Sequence, residues 1–314
     1  MTRLLLTGLS GSSPIGVMAS YGLLRLCSQI AGLDGARLSW KRKTEENVFL
    51  DDPVAELTVP EAVDWVGFVN KVSQHIQERD TRYFSWGEDV RVNTDLFREM
   101  LVSHFRKSEG NNHEWVDVLS SLGSEIVRDG SKGLVKPSPF YMTAGKQKFL
   151  KIVHEVAESM KSETSKHLEE ALFGPWKYMD DFHSLGWDPS TERIHALRER
   201  APSSDQAKCV RAAVYLAAES LPLFPIIVVP RIKVTAVGFL RDGDGNDCFV
   251  WPLWKPPIGI DSLKSLLTLR ELHEANRNRN SLIRRGIFAV YVAERSEFGK
   301  GYGIFRPAYA VWSE

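Results

Sequence analysis

The hydrophobic pattern of this chain changes its period near residue 221, and that change constrains the fold more than any single motif. Up to Leu221 apolar residues recur at spacings of three and four, as in Ile15, Met18, Ala19, Gly22, Leu23, Leu26 and Ile30. Phe149, Ile152, Val153, Val156 and Met160 form a second stripe of this kind within a predicted helix over 143–160, and further amphipathic stretches cover 60–77, 94–105 and 205–221. Beyond Leu221 the texture becomes β-branched and aromatic over 224–229, 232–240 and 247–251, broken by prolines and turn residues. Asp242-Gly243-Asp244-Gly245-Asn246 predicts a hairpin between the last two runs. The same residues begin like a calcium loop, but Asp247 stands where the sharp-turn glycine belongs and Leu253 where the bidentate glutamate belongs, so the turn reading prevails. A short helix over 261–269, a basic stretch over 270–285, and strands over 287–293 and near 302–312 complete the reading. The expectation is an α+β fold, with a mainly helical region 1–201 packed on a mixed region 202–314 that contains an antiparallel sheet. The polar, breaker-rich Arg200-Ala201-Pro202-Ser203-Ser204 is the candidate linker.

The opening, "LLLTGLSGSSPIG", reads as a strand, a glycine-serine turn and a helix entrance, and raises the question of a phosphate-cradling loop. A dinucleotide site needs glycines that admit pyrophosphate at a helix N-terminus and an acid about 20 residues on. Here Pro14 follows Gly8 and Gly11 where a third glycine would help, and the stretch over 37–43 is not a convincing second strand ending in an acid. No GxxxxGK[ST] occurs, and Tyr141 and Lys146 are five apart rather than four. The packing reading is a short strand and a helix capped by Ser13, begun by Pro14 and ended by Gly32, one face buried, with Ala19 and Gly22 allowing close approach.

Lys plus Arg and Asp plus Glu both number 40, so any polyanion site has to be a local patch. The three cysteines, Cys27, Cys209 and Cys248, form no CxxC, which argues against a disulfide framework or structural zinc and predicts a reducing, cytoplasmic setting. No signal peptide, membrane span or cofactor is expected. The nine tryptophans are expected in the core and at its rim.

Catalytic constellations are thin: GxSxG, HExxH and a cysteine with a signalled histidine partner are all missing, and His104 beside Phe105 reads as an edge-of-core residue. Asp180, Asp181, His183 and Asp188 fall within nine residues and define an alternative, a metal-dependent nuclease, against the ordinary reading of a solvated acidic loop. Basic tracts are more suggestive. The first places Phe140 and Tyr141 before a helix capped by Thr143 that carries Lys146, Lys148 and Lys151. A second, after Gly186-Trp187-Asp188-Pro189, contains Arg193, His195, Arg198 and Arg200. The third contains Arg270, Arg277, Arg279, Arg284 and Arg285, with two glutamates among them. A solvated face is the alternative for each. Another whole-chain alternative is a structural adaptor that uses the aromatic segments 249–254 and 174–178; a nucleotide-dependent enzyme is the remotest.

Six segments in order, "LTGLSGSSPIGVMASYGLLRL", "SPFYMTAGKQKFL", "GWDPSTERIHALR", "LPLFPIIVVP", "FVWPLWKPPIGIDSLKSLL" and "RRGIFAVYVAERS", together resemble the motif series of CRISPR-associated proteins of type I-G systems, formerly type I-U. The resemblance spans 6 to about 306, although Ser12-Ser13-Pro14-Ile15 stands where Asn-Pro-Leu is commoner. It implies a large-subunit-like protein or an accessory to the helicase-nuclease, partnered with CRISPR RNA or target DNA and with other effector subunits. It brings no catalytic residues or cofactor with it. The nucleic-acid-binding residues expected on this reading are Lys146, Lys148, Lys151, Arg193, His195, Arg198, Arg277, Arg279, Arg284 and Arg285.

Overall fold

A computed structural model describes residues 1–42, 52–60, 62–81, 87–108, 113–129, 133–191, 208–229, 233–274, 277–298 and 301–314. The chain begins with β1 (Thr2–Ser10), α1 (Pro14–Cys27), β2 (Arg37–Lys41), β3 (Val54–Val59), α2 (Trp65–Glu78), α3 (Thr94–Lys107) and α4 (Glu114–Leu122). It continues with β4 (Gly123–Asp129), β5 (Leu134–Pro137), α5 (Phe149–Ser159), α6 (Thr164–Phe173) and α7 (Arg211–Glu219). The remainder is β6 (Ile226–Val229), β7 (Lys233–Ala236), β8 (Phe239–Arg241), β9 (Asp247–Trp254), α8 (Ile260–Leu267), α9 (Arg279–Arg284), β10 (Ile287–Phe298), β11 (Tyr302–Phe305) and β12 (Tyr309–Ser313). The fold is α+β. One antiparallel sheet runs β1-β3-β2, and a second runs β11-β10-β9-β8 with β12 also on β10; β4-β5 and β6-β7 are separate ribbons.

Helix α1 lies at the centre. Ser13 caps it by accepting from the Gly16 amide at 3.4 Å, and Pro14 occupies the first turn, as the punctuation predicts. Two details differ. All fourteen residues of α1 are buried, not one face, because β1, β2 and α7 pack around it. The helix also stops at Cys27, about a turn before Gly32, which instead takes φ 82° in the turns that follow. Gly22 meets α7 so closely that a Cβ there would lie 1.7 Å from the Leu216 carbonyl oxygen. Small size at this position is what brings the two helices together, and the continuous core draws on residues either side of position 201.

Other boundaries move for identifiable reasons. The helix expected from 60 begins at Trp65, where Asp64 accepts from the Gly67 amide at 2.8 Å. Residues 37–41 do form a strand, paired antiparallel with β3 from Arg37↔Thr58 to Lys41↔Val54. The run over 232–240 divides into β7 and β8 at Gly238, which has φ 81° and lies against the rings of Phe224 and Phe249. The 242–246 turn does join β8 to β9; the Asp242 carboxylate accepts from the Asp244 amide at 3.0 Å and the Asn246 amide at 2.8 Å.

Tryptophans join the two large sheets. The Trp251 indole donates to the Gly11 carbonyl and that of Trp254 to the Leu38 carbonyl, both at 2.8 Å, while Leu38 also bridges to Ile258. With Trp40 and Trp187 these rings are among the largest fully buried side chains. The 249–254 segment is therefore interior strand and offers no surface for an adaptor. Among the described residues no helix is long and apolar enough to cross a membrane.

Candidate nucleic-acid interface

The opening loop is closed to a nucleotide. Its amides are engaged locally: Gly11 donates to the Pro53 carbonyl at 2.6 Å, Ser12 to Ser10 Oγ at 3.1 Å, Ser13 to the Ser10 carbonyl at 3.4 Å and Gly16 to Ser13 Oγ. A Cβ on Gly11 would lie about 3 Å from Trp40 and Leu253 atoms, and one on Gly16 would lie 2.5 Å from the Ser10 oxygen. Gly11 serves dense packing against Leu253 and Trp40, and Gly16 a close approach to the Ser10 backbone, so the space that a phosphate would need is filled.

The acidic cluster is engaged too. Asp180 Oδ1 accepts from Arg211 Nε at 2.7 Å, and its Oδ2 accepts from the Arg211 amide at 3.0 Å at the start of α7. Asp181 pairs with Lys208, and buried Asp188 accepts from the Ser190 amide at 2.9 Å and from its hydroxyl at 2.6 Å. Among the described residues no group of three or more His, Cys, Asp and Glu is arranged to hold a metal ion. Burial raises the Cys27 and Cys248 thiols to about 12 and pushes Cys209 higher, so all three stay protonated and unreactive at neutral pH.

The loop of the first basic tract meets the 186–189 segment that precedes the second. The 138–148 loop and the segment that begins at Gly186 both dock on the β10–β11 hairpin. Gly303 donates to the Met142 carbonyl at 2.8 Å, Phe305 to the Gly186 carbonyl at 2.9 Å, and the Trp187 indole to the Phe140 carbonyl at 3.0 Å. Two glycines permit this junction: Gly186, at φ 75°, would place a Cβ 2.4 Å from the Gly303 oxygen, and Gly145, at φ 62°, would place one 2.9 Å from the Tyr302 hydroxyl. Around the junction, Lys146 and Lys151 are exposed and without an ion pair among the described residues. Half-buried Lys148 stands 3.8 Å from Asp89, and Tyr302 is 38% exposed. Arg91 lies over the Tyr141 ring, whose hydroxyl donates to Asp89 at 3.1 Å. Burial first, then the Asp89 charge, keeps that phenol raised and neutral.

Three expectations about these tracts need correction or placement. Thr143 caps nothing: it is buried in the loop, and α5 begins six residues later, at Phe149, with Lys148 at the N-cap making no side-chain bond. The start of α5 is also closed to phosphate, since the Lys151 amide donates to the Glu88 carbonyl at 3.2 Å. Arg193, His195, Arg198 and Arg200 lie outside the described residues. The third tract stands apart: α9 leads into the start of β10, whereas the hairpin occupies its far end, from Arg295 onward. Part of its charge is already met. Arg285 pairs with Glu271 at 3.2 Å, Arg270 with Glu274 at 2.6 Å, and Arg277 donates to the Leu272 carbonyl at 3.0 Å. Arg279 and Arg284 are exposed and unpaired among the described residues.

Sequence reasoning missed one polar cluster. Arg25 of α1 donates to Glu219 at 2.7 Å and to Glu114 at 2.8 Å, and Arg79, after α2, pairs with the same two carboxylates. Burial raises the Glu114 pKa, but Arg79 and Arg25 outweigh it, and the carboxyl is held below its ordinary value. Burial together with the Arg79 charge lowers His75, which stays neutral beside the cluster. The available signal was Arg25 itself, a cation inside a stretch of otherwise small and apolar residues that becomes an all-round buried helix.

Comparison of the chain with protein-family models, curated proteins and solved structures finds no match.

Proposed function

We propose that the chain is a non-enzymatic nucleic-acid-binding subunit of an RNA-guided interference complex of the type I-G CRISPR kind, with the 138–151 loop and the β10–β11 hairpin against the nucleic-acid backbone. The observation that carries this reading is the docking of the first basic tract's loop on the hairpin, where Lys146, Lys151 and Tyr302 stand exposed. Lysines neutralise phosphates without reading sequence, and an exposed aromatic beside them can stack an unpaired base. In such complexes base pairing with the guide supplies specificity while protein subunits hold backbone, so local cations suffice in a chain whose net charge is zero. The six ordered motifs support the same assignment. Arg279 and Arg284, at the other end of β10, would make a separate and weaker contact.

The test is affinity purification of the tagged protein from its native host at low salt, with copurifying proteins identified by mass spectrometry and nucleic acid by sequencing. Repeat-spacer RNA together with other CRISPR subunits is expected. A protein recovered free of nucleic acid and of those subunits would overturn the assignment.

A further inference from the structure

Two tyrosines stand at the junction of the 138–148 loop with the β10–β11 hairpin, and only one is open. Tyr141 is buried and already carries the Arg91 guanidinium on its ring. Tyr302 opens β11, paired across the hairpin with Phe298, and is exposed. Its hydroxyl end rests against Gly145, where a Cβ would lie 2.9 Å from the oxygen and 3.8 Å from the ring carbon that bears it. Lys146 follows Gly145 directly, and Lys151 is exposed in the first turn of α5. The strip of cations is narrow, because carboxylates stand beside it. Exposed Glu88 offers its carbonyl to the Lys151 amide, and Asp89 is engaged by the Tyr141 hydroxyl and Lys148. Exposed Glu297, paired in the hairpin with Gly303, holds Arg295 at 2.6 Å.

We infer that the junction holds a single strand, DNA or RNA, in preference to a duplex, and that Tyr302 is the residue that makes the distinction; the inference rests on the nucleic-acid reading above. One row of phosphates is matched by Lys146 and Lys151. A duplex adds a second row to a surface that already carries the Glu88 and Glu297 carboxylates. The ring separates the two forms more sharply. Both faces of a base inside a duplex are covered by its neighbours, so a duplex reaches the lysines and leaves Tyr302 idle, whereas an unpaired base can lie on the ring. Every base has a π-face, and neither a lysine on a phosphate nor a stacked ring reads base edges, so the selectivity is for strand state rather than sequence.

The test is low-salt titration of the full chain with a labelled single-stranded oligonucleotide and with a blunt duplex of the same sequence, for the parent, Tyr302→Ala and Tyr302→Phe. The parent should bind the single strand about tenfold or more tighter than the duplex. Tyr302→Ala should weaken single-strand binding about fivefold or more and leave duplex binding and the melting temperature unchanged, while Tyr302→Phe, which keeps the ring, should retain the parent's preference. Equal affinity of the parent for both forms would overturn the inference and leave the nucleic-acid reading standing. So would a Tyr302→Ala protein that binds the single strand as the parent does, or one that loses both forms equally. A parent chain that binds neither form at low salt would overturn the nucleic-acid reading itself, and this inference with it.

Discussion

Arg25 and Arg79 carry the same charge as Lys146 and Lys151, yet the two pairs meet opposite fates. The arginines are buried between α1, α2, α4 and α7 and share Glu114 and Glu219, whereas the lysines stand in water beside an interlocked hairpin, with no ion pair among the described residues. A buried cation is defined by its partners and holds helices in one arrangement; a surface cation without partners contributes little to folding and remains available to a polyanion. The same contrast separates the glycines. Gly22 is there for α7, and Gly145 for the loop that carries Lys146.

Removing Glu219 should break the buried side most severely. Glu219→Ala removes one of the two carboxylates that Arg25 and Arg79 share in the interior, and about 3–5 kcal/mol should be lost in urea denaturation. A loss below about 1 kcal/mol would mean that water reaches the cluster and that the contrast with the surface is overstated. Next is Gly22→Ala. Its methyl group would overlap the Leu216 carbonyl, so α1 and α7 must separate, at a cost of about 1–3 kcal/mol or more. An unchanged melting temperature would show that this helix pair is looser than described.

A smaller effect comes with pH. Burial, and then Arg79, keep the folded pKa of His75 below its ordinary value, so below about pH 6.5 the unfolded chain binds a proton that the folded chain refuses. Stability should thus be flat above neutrality and decline as pH falls from about 7 toward 5. Burial lowers His273 in the same direction. Urea midpoints at pH 7.5 and 5.5 should differ less for His75→Gln than for the parent chain; an equal difference would remove His75 from the account.

The α+β class was legible from the change of hydrophobic period near residue 221, although the part expected to be mainly helical also holds β1 to β5. The cap at Ser13, the α3 stretch and the 242–246 hairpin are local devices, written in residues close enough to act on one another. What was not legible depended on distant partners. The full burial of α1 requires α7 and both large sheets, and the late start of α5 reflects the 138–148 loop docking on β11. Arg25 gave no indication that its partner lay at position 219. The candidate interface was half legible: its lysines stood out in the sequence, but the junction of their loop with the Gly186 segment and β11 is formed by backbone hydrogen bonds that leave no trace in a linear pattern.

The most direct test of the central claim is fluorescence anisotropy of a labelled single-stranded 20-mer, in DNA and RNA forms, across a salt series with the parent chain and with Lys146→Glu/Lys148→Glu/Lys151→Glu. The account predicts measurable low-salt binding that weakens at least about tenfold in the variant, with a shallower dependence on salt concentration and an unchanged melting temperature. Equal affinity and equal salt slope for both proteins would contradict it.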